Sequence, residues 1–245
     1  MHQVRIYPTR AAAAHAVAAQ FVASSERAMT MQGRFTVALA GGSTPRDVYR
    51  LLASDDYMSM VEWAYSHFFW GDERTVPLND PDNNAHMARE TLIDHVPIPM
   101  NHIHRIPSQL PPEEAAWAYE QTLREFFGSR GLEQPQFDLV LLGMGAEGHT
   151  ASLFPHSPVL WESERWVVAT YVEPIKSWRI TLTPLALNAA AKVIFLVAGE
   201  EKAQALREVL GDQKQPELFP AQIIDPPQGK VLWIVDQAAA SLLDT

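Results

Sequence analysis

The side chains best suited to chemistry stand in four short segments. In Gly143-Met144-Gly145-Ala146-Glu147-Gly148-His149, a histidine closes a glycine-rich turn with an acid two residues before it. An imidazole exchanges its proton near neutral pH, so His149 suits general-base work, and Glu147 is placed to orient it. In Ala40-Gly41-Gly42-Ser43-Thr44-Pro45-Arg46-Asp47, two glycines permit a tight turn. Thr44 is expected to cap the next helix, with Pro45 at its first position and Asp47 completing a capping box. The free N–H groups of such a helix start favour a phosphate, which makes Gly41, Gly42, Ser43 and Thr44 candidate binding residues. In Trp70-Gly71-Asp72-Glu73-Arg74, three charged residues follow an apolar strand, an unfavourable place unless they are solvated or used. Arg74 suits an anionic or polarised oxygen, and Asp72 suits orienting a partner. The fourth segment is a scatter of cations: Lys176 and Arg179 in IKSWRITL and Lys202 in GEEKA. A lysine in the first turn of a helix opposes the helix dipole, which points to an anion at Lys202.

Each segment also has a purely structural reading. GGSTP can be a well-built strand–helix turn, DER a surface turn with a local ion pair, and Lys202 a surface lysine balanced by Glu200 and Glu201. Two other patterns mislead. Gly143, Gly145 and Gly148 spell the dinucleotide fingerprint, with Glu162 and Glu164 about 20 residues further on. That motif needs a long helix after its third glycine, and Pro155 and Pro158 interrupt one here. His102-x-His104 imitates a metal pair, but without acidic neighbours it reads as a strand with two polar side chains, and no metal site is expected.

The elements that must position these residues alternate. Apolar runs suited to strands are Phe35–Ala40, His67–Trp70, Phe137–Leu142, Trp166–Tyr171, Lys192–Ala198 and Val231–Val235, with weaker candidates at Val4–Tyr7, Ile103–Ile106 and Ile180–Thr183. Helical stretches lie at Ala11–Met29, Pro45–Ala53, Ala85–His95, Glu113–Phe127, Glu200–Leu210 and Gln237–Leu243. Runs such as VALA, LVLL and VIFLVA are apolar at consecutive positions, as strands covered on both faces are. The pattern predicts an α/β fold: a doubly wound, mainly parallel, Rossmann-like sheet with helices on both faces. The segments after 35–40, 67–70, 137–142 and 192–198 would then gather at one sheet edge, where such folds bind ligands.

The chain has 245 residues, enough for one large domain or two small ones. No repeat, low-complexity tract or Ser/Gly linker divides it, so a single domain over 1–245 is expected. Acids outnumber bases 29 to 19, for a net charge of −10, which disfavours nucleic-acid and anionic-membrane partners. The absence of cysteine excludes disulfides, thiolate metal sites and cysteine nucleophiles, and fits a cytoplasmic setting. Ala11–Ala23 imitates a signal peptide, with Arg5 and Arg10 before it. His15 and Gln20 interrupt the run, however, and Thr9 stands where an N-cap would, so a first amphipathic helix is expected.

In this order and spacing the segments resemble the glucosamine-6-phosphate isomerase/6-phosphogluconolactonase family, on its lactonase side. The resemblance runs nearly end to end: GGSTP (41–45), WGDER (70–74), DxxNNxxMARETL (80–92), FDLVLLGMGAEGHTASLFP (137–155), RITLT (179–183) and FPAQII…GKVLWIVD (219–236). It implies hydrolysis of 6-phospho-D-glucono-1,5-lactone to 6-phosphogluconate in the oxidative pentose phosphate pathway, on a sugar-phosphate-isomerase-type fold, with no metal or organic cofactor. By motif, His149 would activate water, Arg74 would hold or polarise the lactone, and Gly42–Thr44, Arg179 and Lys202 would take the phosphate. The family usually carries Asp two residues before the histidine, where this chain has Glu147. The expected partner is a phosphorylated sugar lactone, and a homo-oligomer is compatible with the composition.

Three other functions compete. An aldose–ketose isomerase or deaminase acting on an amino-sugar phosphate would use Asp72 as base, but such relatives differ after the histidine, where this chain reads TASLFP. The glycine pattern alone suggests an NAD oxidoreductase. A sugar-phosphate-sensing regulator would need a DNA-binding helix-turn-helix, and a sheet pattern running from Val4 to Val235 leaves no room for one.

Overall fold

A computed structural model describes residues 2–129 and 131–243. In chain order its strands are β1 (His2–Tyr7), β2 (Phe35–Leu39), β3 (Ser66–Trp70), β4 (Asp72–Arg74), β5 (Leu139–Leu142), β6 (Val167–Val172), β7 (Ser177–Leu182), β8 (Lys192–Val197) and β9 (Lys230–Asp236). The α-helices are α1 (Arg10–Gln32), α2 (Ser43–Leu52), α3 (Asn84–Thr91), α4 (Pro112–Gly128), α5 (Pro184–Leu187) and α6 (Ala203–Leu210). Six strands form one sheet in the order β1-β9-β8-β5-β2-β3, and every pairing in it is parallel. The middle strands are buried at consecutive positions, all five residues of β2 and all four of β5. This is the expected consequence of helices covering both faces. α1 turns Ala13, Ala14, Val17, Ala18 and Phe21 inward, and its small residues let it lie close to its neighbours. Thr9 caps it, accepting from the Ala12 N–H at 3.2 Å. Among the described residues, no helix is long and apolar enough to cross a membrane.

Four expectations are corrected. The runs at 166–171 and 180–183 do not join the parallel sheet. They become β6 and β7, which pair antiparallel with each other and with β4 in a separate three-stranded sheet. Ile103–Ile106 supplies only an isolated bridge to Phe68, because His102 ends a short 3-10 turn just before it. Gln237–Leu243 is a run of turns rather than a helix. There the Asp236 carboxylate takes the N–H groups of both Gly199 and Ala239 and ties the segment back to the end of β8. Finally, α2 starts at Ser43 with Gly42 in the capping position, so Thr44 lies inside the helix and does not cap it. Asp47 pairs with Arg10 instead of closing a capping box.

Candidate active site

Four parallel strands end on one side of the sheet, and the loops that follow β2, β3, β5 and β8 enclose a cleft of about 450 Å3. Gly41, Gly42, Ser43, Thr44, Asp72, Arg74, Glu147, His149, Arg179 and Lys202 all line it. The structure thus brings these ten together, while Lys176, the remaining cation of the fourth segment, does not line the cleft. A buried tyrosine fixes the ends of β2 and β3. The buried Tyr49 hydroxyl accepts from the Ala40 N–H at 3.0 Å and donates to the Ala40 carbonyl at 2.7 Å. Tyr119 does the same for Trp70, at 2.9 and 3.0 Å. Burial pushes both phenols well above their ordinary range. Each stays a neutral donor that satisfies backbone groups no ladder reaches.

The first wall is the turn into α2. Gly42 has φ 99°, a conformation that side chains rarely adopt. A Cβ on Gly41 would fall 1.8 Å from Asn84 Oδ1, so only glycine lets α3 approach here. The side chain of Arg10 donates to the Ser43 carbonyl at 2.6 Å and to Asp47 at 2.8 Å. These contacts hold the first turn of α2 with its N–H groups toward the cleft, the arrangement that binds anions.

The second wall explains the charged run after β3. The chain passes from the parallel sheet into the small one at Gly71, so Asp72, Glu73 and Arg74 are β4. They pair with Thr181, Ile180 and Arg179 of β7. Side chains alternate along a strand, so Asp72 and Arg74 face the cleft and Glu73 faces inward. Glu73 is fully buried and accepts from the N–H groups of Arg74, Asn84 and Ala85 at 2.7–2.9 Å, closing the start of α3. Burial pushes its carboxyl up to about 7, against the pull of those N–H groups. Asp72 accepts from Ser152 Oγ at 2.7 Å and its carbonyl from Asn84 Nδ2 at 2.9 Å. Arg74 and Arg179 stand directly opposite each other. Like charges so placed repel. Burial first and Arg74 second lower the affinity of Arg179 for its proton. An anion between the two guanidiniums would relieve that repulsion.

The third wall is the glycine-rich loop after β5. The Gly145 N–H donates to the His149 carbonyl at 2.9 Å, and a Cβ on Gly145 would lie 2.1 Å from His149 Nδ1. Gly148, at φ 82°, packs against Phe219, and its carbonyl accepts from the Ala221 N–H. The glycines therefore serve a compact loop around an imidazole and not a nucleotide. His149 Nδ1 lies 2.9 Å from Glu147 Oε1, and its ring stacks on Phe154 at 4.1 Å. A carboxylate only accepts, so Nδ1 carries a proton, and in the neutral ring the lone pair is then on Nε2. The hydrogen bond from His149 pulls the Glu147 carboxyl down to about 2, with Lys202 adding to the effect. Lys202 closes the Glu200–Lys202 turn that leads into α6.

Arg10, Asn84, Ser152 and Phe154 also line the cleft and were not singled out from sequence. Arg10 was read only as a charge before an apolar run. Asn84 sits inside the DxxNN motif, and Ser152 and Phe154 inside TASLFP, so those three had a signal. His102 and His104 lie outside the cleft, and no described cluster of three or more His, Cys, Asp or Glu residues is arranged to hold a metal ion.

The model of the family described as glucosamine-6-phosphate isomerases/6-phosphogluconolactonase matches residues 8–233. The chain is 41% identical over 218 residues to the 6-phosphogluconolactonase of Synechocystis sp., covering 89% of this chain and 88% of that one. It is 34% identical over 237 residues to the 6-phosphogluconolactonase of Haemophilus influenzae, with 97% and 98% covered. The structure of 6-phosphogluconolactonase from Trypanosoma brucei matches with a TM-score of 0.88 and 30% identity over 100% of this chain and 99% of that one. A monomeric glucosamine-6-phosphate deaminase shares the fold, with a TM-score of 0.82 at 18% identity, over 98% and 99% of the two chains.

Proposed function

We propose that this chain, which belongs to the glucosamine-6-phosphate isomerase/6-phosphogluconolactonase family, hydrolyses 6-phospho-D-glucono-1,5-lactone to 6-phosphogluconate and works as one α/β domain over 1–245. The reading rests on one observation above the others. A histidine backed by a carboxylate at 2.9 Å shares a cleft with an N–H-lined turn and four cations, Arg10, Arg74, Arg179 and Lys202. A lactone is an activated ester, so it needs a base and an electrostatic clamp but no covalent nucleophile.

His149 Nε2 takes a proton from water as the oxygen adds to the lactone carbonyl. Glu147 stabilises the imidazolium that forms. Arg74 receives the negative charge that develops on the carbonyl oxygen. When the ring C–O bond breaks, the imidazolium returns its proton to the departing ring oxygen, which becomes a hydroxyl. The new carboxyl group ionises and releases one proton to solvent. The turn Gly41–Thr44, Arg179 and Lys202 hold the phosphate and so fix the distance of the carbonyl from His149. This hydrolysis calls for no metal or cofactor.

The isomerase or deaminase reading would need Asp72 as a free base, and its carboxylate is tied to Ser152. Acid release in a pH-stat from freshly made 6-phosphogluconolactone decides the matter. Release well above the spontaneous background, lost in His149→Ala, is expected. Background rates with wild-type protein, or ammonia release from glucosamine 6-phosphate, would overturn the reading.

A further inference from the structure

A second crevice, of about 590 Å3, lies between α2 and α3 and shares no lining residue with the cleft above. Arg46 and Arg50 stand one turn apart on α2, His86 and Glu90 one turn apart on α3, and His95 follows. Arg46 Nε is buried with no partner. Neither guanidinium makes a hydrogen bond or ion pair with any described residue. Elsewhere, arginines find carboxylates in this acid-rich chain: Arg10 with Asp47, Arg89 with Asp94, Arg124 and Arg165 with Glu120. What sets Arg46 and Arg50 apart is that they lie side by side in one concave site with a buried guanidinium nitrogen that has no acceptor. A buried guanidinium nitrogen without an acceptor is unfavourable until something supplies one.

We propose that this crevice binds a small molecule carrying two adjacent phosphoryl groups, at a site separate from the catalytic cleft. A guanidinium matches phosphoryl oxygens with paired N–H donors. Two of them rising about 6 Å apart along a helix suit two linked phosphoryl groups better than one. His86 and His95 add positive charge when protonated. The single carboxylate, Glu90, lies 3.4 Å from His86 and suits a hydroxyl or amine of the same ligand. The volume falls in the range of about 300–1,000 Å3 usual for small-molecule sites, more than a bare phosphate fills. Met87 and Ala53 provide apolar floor for an organic portion.

Calorimetric titration of the full chain with inorganic pyrophosphate and, separately, inorganic phosphate tests this. Pyrophosphate should bind the wild-type protein and bind more tightly than phosphate. Arg50→Gln should weaken pyrophosphate about tenfold or more, as loss of a charge-assisted contact does, while leaving lactone hydrolysis unchanged. Glu90→Gln, which removes the one negative charge, should strengthen it. A double Arg179→Met, Lys202→Met variant, which dismantles the catalytic clamp, should still bind. The proposal is overturned if millimolar pyrophosphate gives no binding, if phosphate binds equally well, or if the double variant abolishes binding that Arg50→Gln leaves intact. That last result would place the anion in the catalytic cleft.

Discussion

His149 and His104 are similar side chains in opposite settings. Each ring rests on a phenylalanine, His149 on Phe154 at 4.1 Å and His104 on Phe69 at 4.4 Å. The difference is at the nitrogens. His149 Nδ1 meets a carboxylate. His104 Nε2 meets His67 Nδ1 at 3.2 Å, and His102 stacks on His67 at 3.9 Å, with Phe126 and the overlying Arg34 closing the group. A carboxylate favours the imidazolium, whereas burial and a second imidazole oppose it. Burial first and His102 second hold His104 down to about 4. An aromatic shelf thus positions either ring, and the partner of the nitrogen sets them apart: the proposed mechanism uses only the one backed by a carboxylate.

The largest expected effect tests the first half of that contrast. His149→Ala should lower lactone turnover by about 10²–10⁴-fold with an unchanged melting temperature. Near-normal turnover would end the comparison. Next come the cations that share the cleft with His149. Lys202→Met or Arg179→Met should each weaken 6-phosphogluconolactone by roughly 10–100-fold, from contacts of about 1.5–3 kcal/mol. Unphosphorylated gluconolactone should be nearly unaffected. Equal losses for both substrates would move these residues away from the phosphate.

Glu147→Gln should cut kcat by about tenfold with little change in KM, because a neutral amide stabilises the imidazolium less. Glu147→Asp should be milder. Asp72→Asn in parallel sharpens the result: turnover lost there and spared at Glu147 would mean that the ring is supported from the other side.

The smallest effect belongs to His104. Its ordinary value is 6.5 and its folded value about 4. Between those pH values the unfolded chain takes up a proton that the folded chain refuses. The stability it confers is therefore present above pH 6.5 and is lost as pH falls through about 4. His104→Phe should flatten that acid limb by about 1–2 kcal/mol, a figure reduced for the partial exposure of the ring. Urea midpoints at pH 7.5 and 4.5 measure it. Equal pH dependence in both proteins would show that the cluster titrates in no functional sense.

Much of this was legible before any coordinates. Consecutive apolar residues in VALA, LVLL and VIFLVA announce strands buried on two faces. Parallel strands joined by helices must all end on the same side, so Gly41–Thr44, Asp72, Glu147, His149 and Lys202 were bound to share an edge. Spacing within a loop also pointed to the Glu147–His149 contact, since only Gly148 lies between them.

Tertiary structure decided what depends on partners distant in sequence. The side-by-side guanidiniums of Arg74 and Arg179 follow from an antiparallel pairing of strands more than 100 residues apart. The burial of Glu73 follows from α3 beginning beside β4, where the free N–H groups of Asn84 and Ala85 take its carboxylate as acceptor. Arg10 enters the cleft only because α1 packs beside α2. Local propensity speaks to a turn or a helix face over a few residues. Which strand an Asp-Glu-Arg run pairs with, and so which of its charges reaches a substrate and which closes a helix, is settled by the packing energy of the whole chain.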